Sequence, residues 1–144
     1  PEGGTVFISV CDHDKRPIVS IARDIVRLGF HIVATDGTAR ALRAAGVGCT
    51  TVKKIHEGTP NVRDMLVGGQ IALMINTPFG HATRNDGYEL RTEAVKHGIT
   101  QVTNLAGAQA MVAGMEASRE NGLTVIALQD LPQHTLSLGP ALTA

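Results

Sequence analysis

The sequence has no Trp, one Tyr and three Phe. So few rings exclude a base-stacking platform for single-stranded nucleic acid. Neither sign of charge is in excess, with thirteen basic residues against thirteen acidic ones. A broad nucleic-acid or anionic-membrane surface needs a basic surplus, so neither partner is expected, whereas a small local anion site remains open. Cysteine is scarce too. Cys11 and Cys49 fall in no C-x-x-C or Cys/His pattern. They read as buried, reduced thiols, which suits a cytoplasmic location. None of the six His shows H-x-x-x-H spacing, so no metal site is expected. There is no apolar run of membrane-spanning length, no signal peptide and no repeat, coiled coil or low-complexity tract. An initiator Met is also missing: the chain starts at Pro1 and reaches a strand-like run by Thr5, as a piece cut from a longer protein would.

What is present is a globular pattern. The 144 residues, 43% hydrophobic and 18% charged, suit one domain. A domain of that size buries roughly 70% of its unfolded surface and needs no disulfide or metal to hold it. One punctuation recurs along it: a polar helical stretch, a Gly, then an aliphatic strand. It appears at Leu28-Gly29-Phe30, Ala45-Gly46-Val47, His97-Gly98-Ile99 and Asn121-Gly122-Leu123. Gly just past a helix end tolerates the left-handed backbone found there. Repeated helix-Gly-strand units predict an α/β fold with a parallel sheet.

The predicted strands are Thr5 to Val10, His31 to Ala34, Thr50 to Val52, Ile71 to Ile75, Gln101 to Thr103 and Thr124 to Leu128. Their near-continuous apolar character predicts cover on both faces. Between them, Ile18, Ile21, Ala22 and Ile25 repeat at helical spacing, as do Ala108, Met111, Val112 and Met115. The first helix is expected to start near Pro17 with Asp14 as its cap. The fold class is therefore a three-layer α/β/α sandwich on about five parallel strands. The domain is assigned to 1–131, and 132–144 reads as a tail or linker remnant.

Ligands of such sheets bind beyond the carboxyl ends of the strands. Lys15 follows the first strand, where a helix starts. Thr35-Asp36-Gly37-Thr38 follows the second, opening a helix from Ala39 with two hydroxyls and free N–H groups, Thr38 serving as N-cap. Gly37 lets the backbone approach an anion. Lys53 and Lys54 follow the third strand, and Asn76 and Thr77 the fourth. Lys15, Thr35, Gly37, Thr38, Lys54, Asn76 and Thr77 together make a phosphate cradle. Catalytic groups are thin. His56-Glu57 is a candidate acid/base pair, but it lacks a nucleophile or partner carboxylate, so no catalytic residue is assigned. Gly46-Val47-Gly48 follows a helix rather than a strand and is no dinucleotide fingerprint.

Four segments carry a family resemblance. Thr35-Asp36-Gly37-Thr38-Ala39, Lys54-Ile55-His56-Glu57-Gly58-Thr59-Pro60, Ile75-Asn76-Thr77-Pro78 and Asp86-Gly87-Tyr88-Glu89-Leu90-Arg91 resemble the methylglyoxal-synthase-like domain. The version at the C-terminus of the bacterial carbamoyl-phosphate synthase large chain is the most similar, over about Val6 to Leu128. The resemblance implies a flavodoxin-type fold and a regulatory module without its own cofactor. It also implies a parent ligase that makes carbamoyl phosphate from glutamine, bicarbonate and ATP, with Mg or Mn, for pyrimidine and arginine biosynthesis. It implies uridine monophosphate (UMP) as inhibitor and inosine monophosphate (IMP) as activator at one phosphate site. The implied partners are the rest of the large chain and its glutamine amidotransferase small chain, with possible self-association. The family's phosphate residues fall on Lys15, Thr35, Thr38, Lys54, Asn76 and Thr77.

The chain departs from the family pattern in places. One family Thr falls on Pro78, which has no hydroxyl. The positions used for ornithine read Gln101 and Thr103, and the Trp of the acetylglutamate-sensing version is missing. Neither of those effectors is expected. Among the rivals, the true methylglyoxal synthases are lyases acting on dihydroxyacetone phosphate. Asp12 and Lys15 match positions of their site, but their catalytic carboxylate position falls on Thr59. The cyclohydrolase half of the bifunctional purine-synthesis enzyme has a Lys-Thr-Leu-His-Pro segment that this chain lacks. A structural or oligomer-forming domain with a vestigial site is the third alternative.

Overall fold

The computed structural model describes residues 4–77 and 84–120. Among these residues five strands form one parallel sheet: β1 (Thr5–Ser9), β2 (His31–Ala34), β3 (Thr50–Thr51), β4 (Ile71–Asn76) and β5 (Thr100–Val102). Five helices connect them or follow: α1 (Ile18–Arg27), α2 (Asp36–Ala44), α3 (Val62–Val67), α4 (Arg84–Lys96) and α5 (Leu105–Glu120). The strand order is β3-β2-β1-β4-β5. The chain thus walks outward from β1 through β2 and β3, then restarts on β1's other side. The crevice between β1 and β4 is the topological switch point, where sheets of this kind bind ligands.

Alternation along the strands explains the three layers. Val6 and Ile8 of β1, Ile32 and Ala34 of β2, and Leu73 and Ile75 of β4 pack on one face against Ile18, Ile21, Ala22 and Ile25 of α1. The same cluster takes Ala39 and Leu42 from α2 and Ala108, Val112 and Met115 from α5. Phe7, Val33 and Met74 point the other way, against Val62 and Leu66 of α3 and Leu90 and Ala94 of α4. Side chains of period two in a sheet, each face covered by helices, are what the apolar runs require. Gly29, Gly46 and Gly98 have φ of 93°, 84° and 65°, so each helix-Gly-strand junction within the described residues uses the left-handed region. Gly122, the expected strand Thr124 to Leu128 and the expected tail 132–144 lie outside the described residues.

Several local expectations are corrected. Pro17 is the residue before α1, but Asp14 does not cap the helix. It belongs to a 3₁₀ turn, Asp12–Asp14, and its carboxylate accepts from Cys11 Sγ at 3.2 Å. Helix α2 begins at Asp36 rather than Ala39, which makes Thr35 the N-cap and puts Thr38 inside the first turn. Strand β3 stops at Thr51, and β5 runs one residue earlier than expected. Cys11 and Cys49 are free thiols, but half-buried rather than buried. Burial still pushes the Cys49 thiol above its ordinary pKa, against a smaller opposing pull from the Arg43 charge.

Two expectations follow. Ile25 is fully buried, so Ile25→Ala lowers the unfolding free energy by about 2–5 kcal/mol in a urea titration. The neutral thiol is the favoured form of Cys49, so in a Cys11→Ser background its alkylation at pH 8 is slower than that of an unstructured peptide thiol. The rate recovers only as pH rises past the usual thiol range. A rate equal to the peptide's contradicts the burial argument.

Candidate functional site

The carboxyl end of β1 organises the rim of the sheet. Ser9 Oγ lies 2.8 Å from Thr35 Oγ1, which ties β1 to the start of α2. The Val10 N–H donates to Thr38 Oγ1 at 3.1 Å, and the Cys11 N–H donates to Thr77 Oγ1 at 3.0 Å. The Thr77 N–H in turn donates to the Ser9 carbonyl at 3.1 Å, and Asn76 is the register partner of Ser9. Thr35, Thr38, Asn76 and Thr77 are all buried, so these are fixed positions rather than surface options.

The hydroxyl chemistry follows from those bonds. A threonine oxygen that accepts from a backbone N–H keeps its own proton to donate. Thr38 and Thr77 are in that state. Thr35 caps α2 by position only, because its side chain makes no bond to the helix backbone. The first intrahelical bond is Ala39 N–H to Thr35 O at 2.7 Å. The N–H groups of the preceding turn are the ones a helix cannot satisfy internally, and they stand at the positive end of its dipole.

Lys15 reaches this point from the β1–α1 connection. A Cβ added to Gly37 would lie 3.1 Å from Lys15 Nζ and 3.3 Å from its Cε, so the Lys15 side chain lies across the first turn of α2. Its side chain is 22% exposed and forms an ion pair with Asp12, which is 95% exposed. The hydrogen bond and charge of Lys15 hold the Asp12 carboxyl below the usual carboxylate range. Lys54 is one strand farther out. Val52 N–H bonds the Ala34 carbonyl at 2.9 Å, so the chain passes the end of β2 just before Lys54. The loop beyond it is braced: Lys54 N–H donates to Glu57 Oε1 at 2.6 Å, and the Asn61 amide donates to the Ile55 and Gly58 carbonyls.

Six of the seven expected residues thus gather at the ends of β1, β2 and β4, while Lys54 stands at the same rim beyond β2. Pro78 lies outside the described residues. His56 does not pair with Glu57. Its Nε2 lies 3.2 Å from Glu89 Oε1 of α4, while Glu57 serves the loop backbone. Ser9 was not singled out from sequence. The available signal was a hydroxyl near the carboxyl end of the run, after the apolar Val6-Phe7-Ile8. Among the described residues there is no group of three His, Cys, Asp or Glu side chains able to hold a metal, and no helix long and apolar enough to cross a membrane.

The model of the MGS-like domain matches residues 17–103, more than half of the chain. The chain belongs to the MGS-like domain family. This MGS-like domain is 47% identical over 132 residues to the "carbamoyl phosphate synthase large chain, C-terminal section" of Methanopyrus kandleri, covering 91% of this chain and 24% of that protein. It is 45% identical over 129 residues to the carbamoyl phosphate synthase large chain of Acidobacterium capsulatum, covering 90% of this chain and 12% of that one. The chain therefore spans a quarter or less of these relatives. Among solved structures, the methylglyoxal synthase of Elizabethkingia anophelis shares its fold with a TM-score of 0.64 at 18% identity, over 78% of each chain.

The Thr38 hydroxyl is the only side-chain acceptor for the buried Val10 N–H among the described residues. Thr38→Val keeps the shape and removes that acceptor, so it costs about 1–3 kcal/mol. Thr38→Ser keeps the oxygen and loses less. Equal urea midpoints for the two variants contradict the bond's role.

Proposed function

We propose that this MGS-like domain is the allosteric regulatory domain of a glutamine-hydrolysing carbamoyl-phosphate synthase large chain. In this reading it binds a nucleoside monophosphate, UMP as inhibitor or IMP as activator, by its phosphate. The observation that carries the reading is the gathering of Thr35, Gly37, Thr38, Asn76 and Thr77 around the end of β1, with the Lys15 side chain across Gly37. Hydroxyl donors, unsatisfied helix N–H groups and an ammonium in one place suit a doubly negative group. Lys54 would approach it from the third loop. Bonds to a charged group contribute about 1.5–3 kcal/mol each, so four or five reach micromolar affinity, about −8 kcal/mol.

The domain in this reading does no chemistry of its own. A lyase acting on the triose phosphate needs a base to take the substrate proton, and that position falls on Thr59. Asp12, the other carboxylate near Lys15, is paired with that cation. ATP and Mg or Mn belong to the parent enzyme, whose remaining large chain and amidotransferase small chain are the proposed partners, in the cytoplasm. The same reading includes self-association through this domain.

Calorimetric titration of the chain with UMP, IMP and inorganic phosphate tests it. Saturable micromolar binding of at least one nucleotide is expected, lost in Thr38→Ala and in Lys54→Glu proteins that remain folded by circular dichroism. Flat isotherms for all three ligands favour a structural domain with a vestigial site instead. Methylglyoxal formation from dihydroxyacetone phosphate would overturn the non-catalytic assignment.

A further inference from the structure

The β3–α3 connection that carries Lys54 closes on itself. The Val62 N–H donates to the Lys53 carbonyl at 2.9 Å, which joins the two ends of the segment. Inside it, Glu57 Oε1 accepts from the Lys54 N–H at 2.6 Å. The Asn61 amide donates to the Ile55 and Gly58 carbonyls at 3.2 and 2.9 Å. The 3₁₀ turn Ile55–Glu57 is therefore one piece with Lys54, its N-cap residue. Where that piece lies decides where the Lys54 ammonium can reach.

Helix α4 grips the piece at two points. Glu89 and Glu93 stand four residues apart on α4, which puts both carboxylates on one face. Arg63, in the first turn of α3, meets Glu93 Oε1 at 3.2 Å. The Glu93 side chain is only 9% exposed, and His97 and Lys96 also approach it, at 3.5 and 3.7 Å. With Val62 and Leu66 packed in the core beside it, this end is firm. At the other end His56 Nε2 lies 3.2 Å from Glu89 Oε1, and both side chains are largely in solvent. An ionised carboxylate only accepts, so the ring nitrogen is the donor. An exposed pair contributes little, so this end is compliant.

The compliant end is the one that carries Lys54. Glu57 serves the Lys54 backbone inside the turn, whereas His56, its neighbour in sequence, faces outward to α4. Between Lys54 and His56 stands Ile55, packed against the core on that side of the sheet. The turn can thus pivot about Ile55, and holding His56 fixes the direction in which the Lys54 side chain leaves it. We propose that Glu89 is a positioning residue for Lys54: by holding His56 it sets the turn so that the ammonium faces the strand ends. This rests on the effector reading above and adds to it a residue from outside the rim.

The experiment titrates inorganic phosphate into the chain and its Glu89→Ala, Lys54→Ala and doubly substituted variants, followed by chemical-shift changes. The direction of the effect is diagnostic. Removing a carboxylate makes the surroundings more positive, so by field alone an anion binds Glu89→Ala more tightly. Loss of position has the opposite sign: phosphate affinity falls about two- to fivefold, the scale of one exposed pair. In the Lys54→Ala background Glu89→Ala has no further effect, because the group it positions is gone. Urea midpoints of the unaltered and Glu89→Ala chains stay alike, which separates positioning from general destabilisation. Phosphate affinity that is unchanged or higher in Glu89→Ala overturns the inference, and so does an equal loss in the Lys54→Ala background. If the unaltered chain binds no phosphate at all, the effector reading itself fails and this inference falls with it.

Discussion

Three consecutive residues at the end of β1 anchor the whole rim. Ser9, Val10 and Cys11 each send a polar group to a threonine on a different part of the chain: Thr35, Thr38 and Thr77. Leaving the sheet, a strand must satisfy its last backbone donors somewhere. Here side-chain oxygens from the first turn of α2 and from the residue after β4 satisfy them. That single constraint fixes the start of α2 and the end of β4 relative to each other, and it places their hydroxyls before any ligand arrives. The scaffold and the candidate site are therefore the same set of bonds.

On the proposed reading, a cradle built this way has consequences for regulation. Occupancy at the rim touches loops that are less firmly held than the strands. Lys15 sits in the β1–α1 connection with a largely exposed carboxylate as partner, and the Lys54 loop is braced by its own side chains rather than by the sheet. An anion that draws both cations inward must loosen the Lys15–Asp12 pair. An exposed pair of that kind is worth little, so rearranging it costs little. Allosteric coupling is of the order of 1–3 kcal/mol. Small shifts of two rim loops are of the right scale to supply it, provided the rest of a longer enzyme rests on those loops.

Much of this was legible in the sequence, for physical reasons that differ by level. Parallel βα units betray themselves because each helix must stop at a left-handed residue before the next strand, and Gly29, Gly46 and Gly98 do so. The ligand edge follows from chain direction alone, and six of the seven candidate residues lie at the ends of β1, β2 and β4. What failed were statements about which polar group meets which. Asp14 was expected at a helix cap and instead accepts from Cys11; Thr38 was expected at the cap and instead serves Val10. His56 neighbours Glu57 in sequence but meets Glu89 in space. Local spacing offers a short polar side chain several partners of similar strength. Tertiary packing chooses among them, and Ser9 acquires its significance only once β1 and the start of α2 are assembled.

The balance of neutral and charged donors also says what kind of binding this rim suits. A cluster of several lysines and arginines would hold a phosphate tightly and unselectively, with affinity set by salt. Here most of the donors are neutral: three threonines, an asparagine and the backbone of α2, with Lys15 alongside. Neutral donors held in buried, preorganised positions bind through geometry more than through field. Affinity then stays moderate and exchangeable, and discrimination passes to whatever contacts the rest of the ligand.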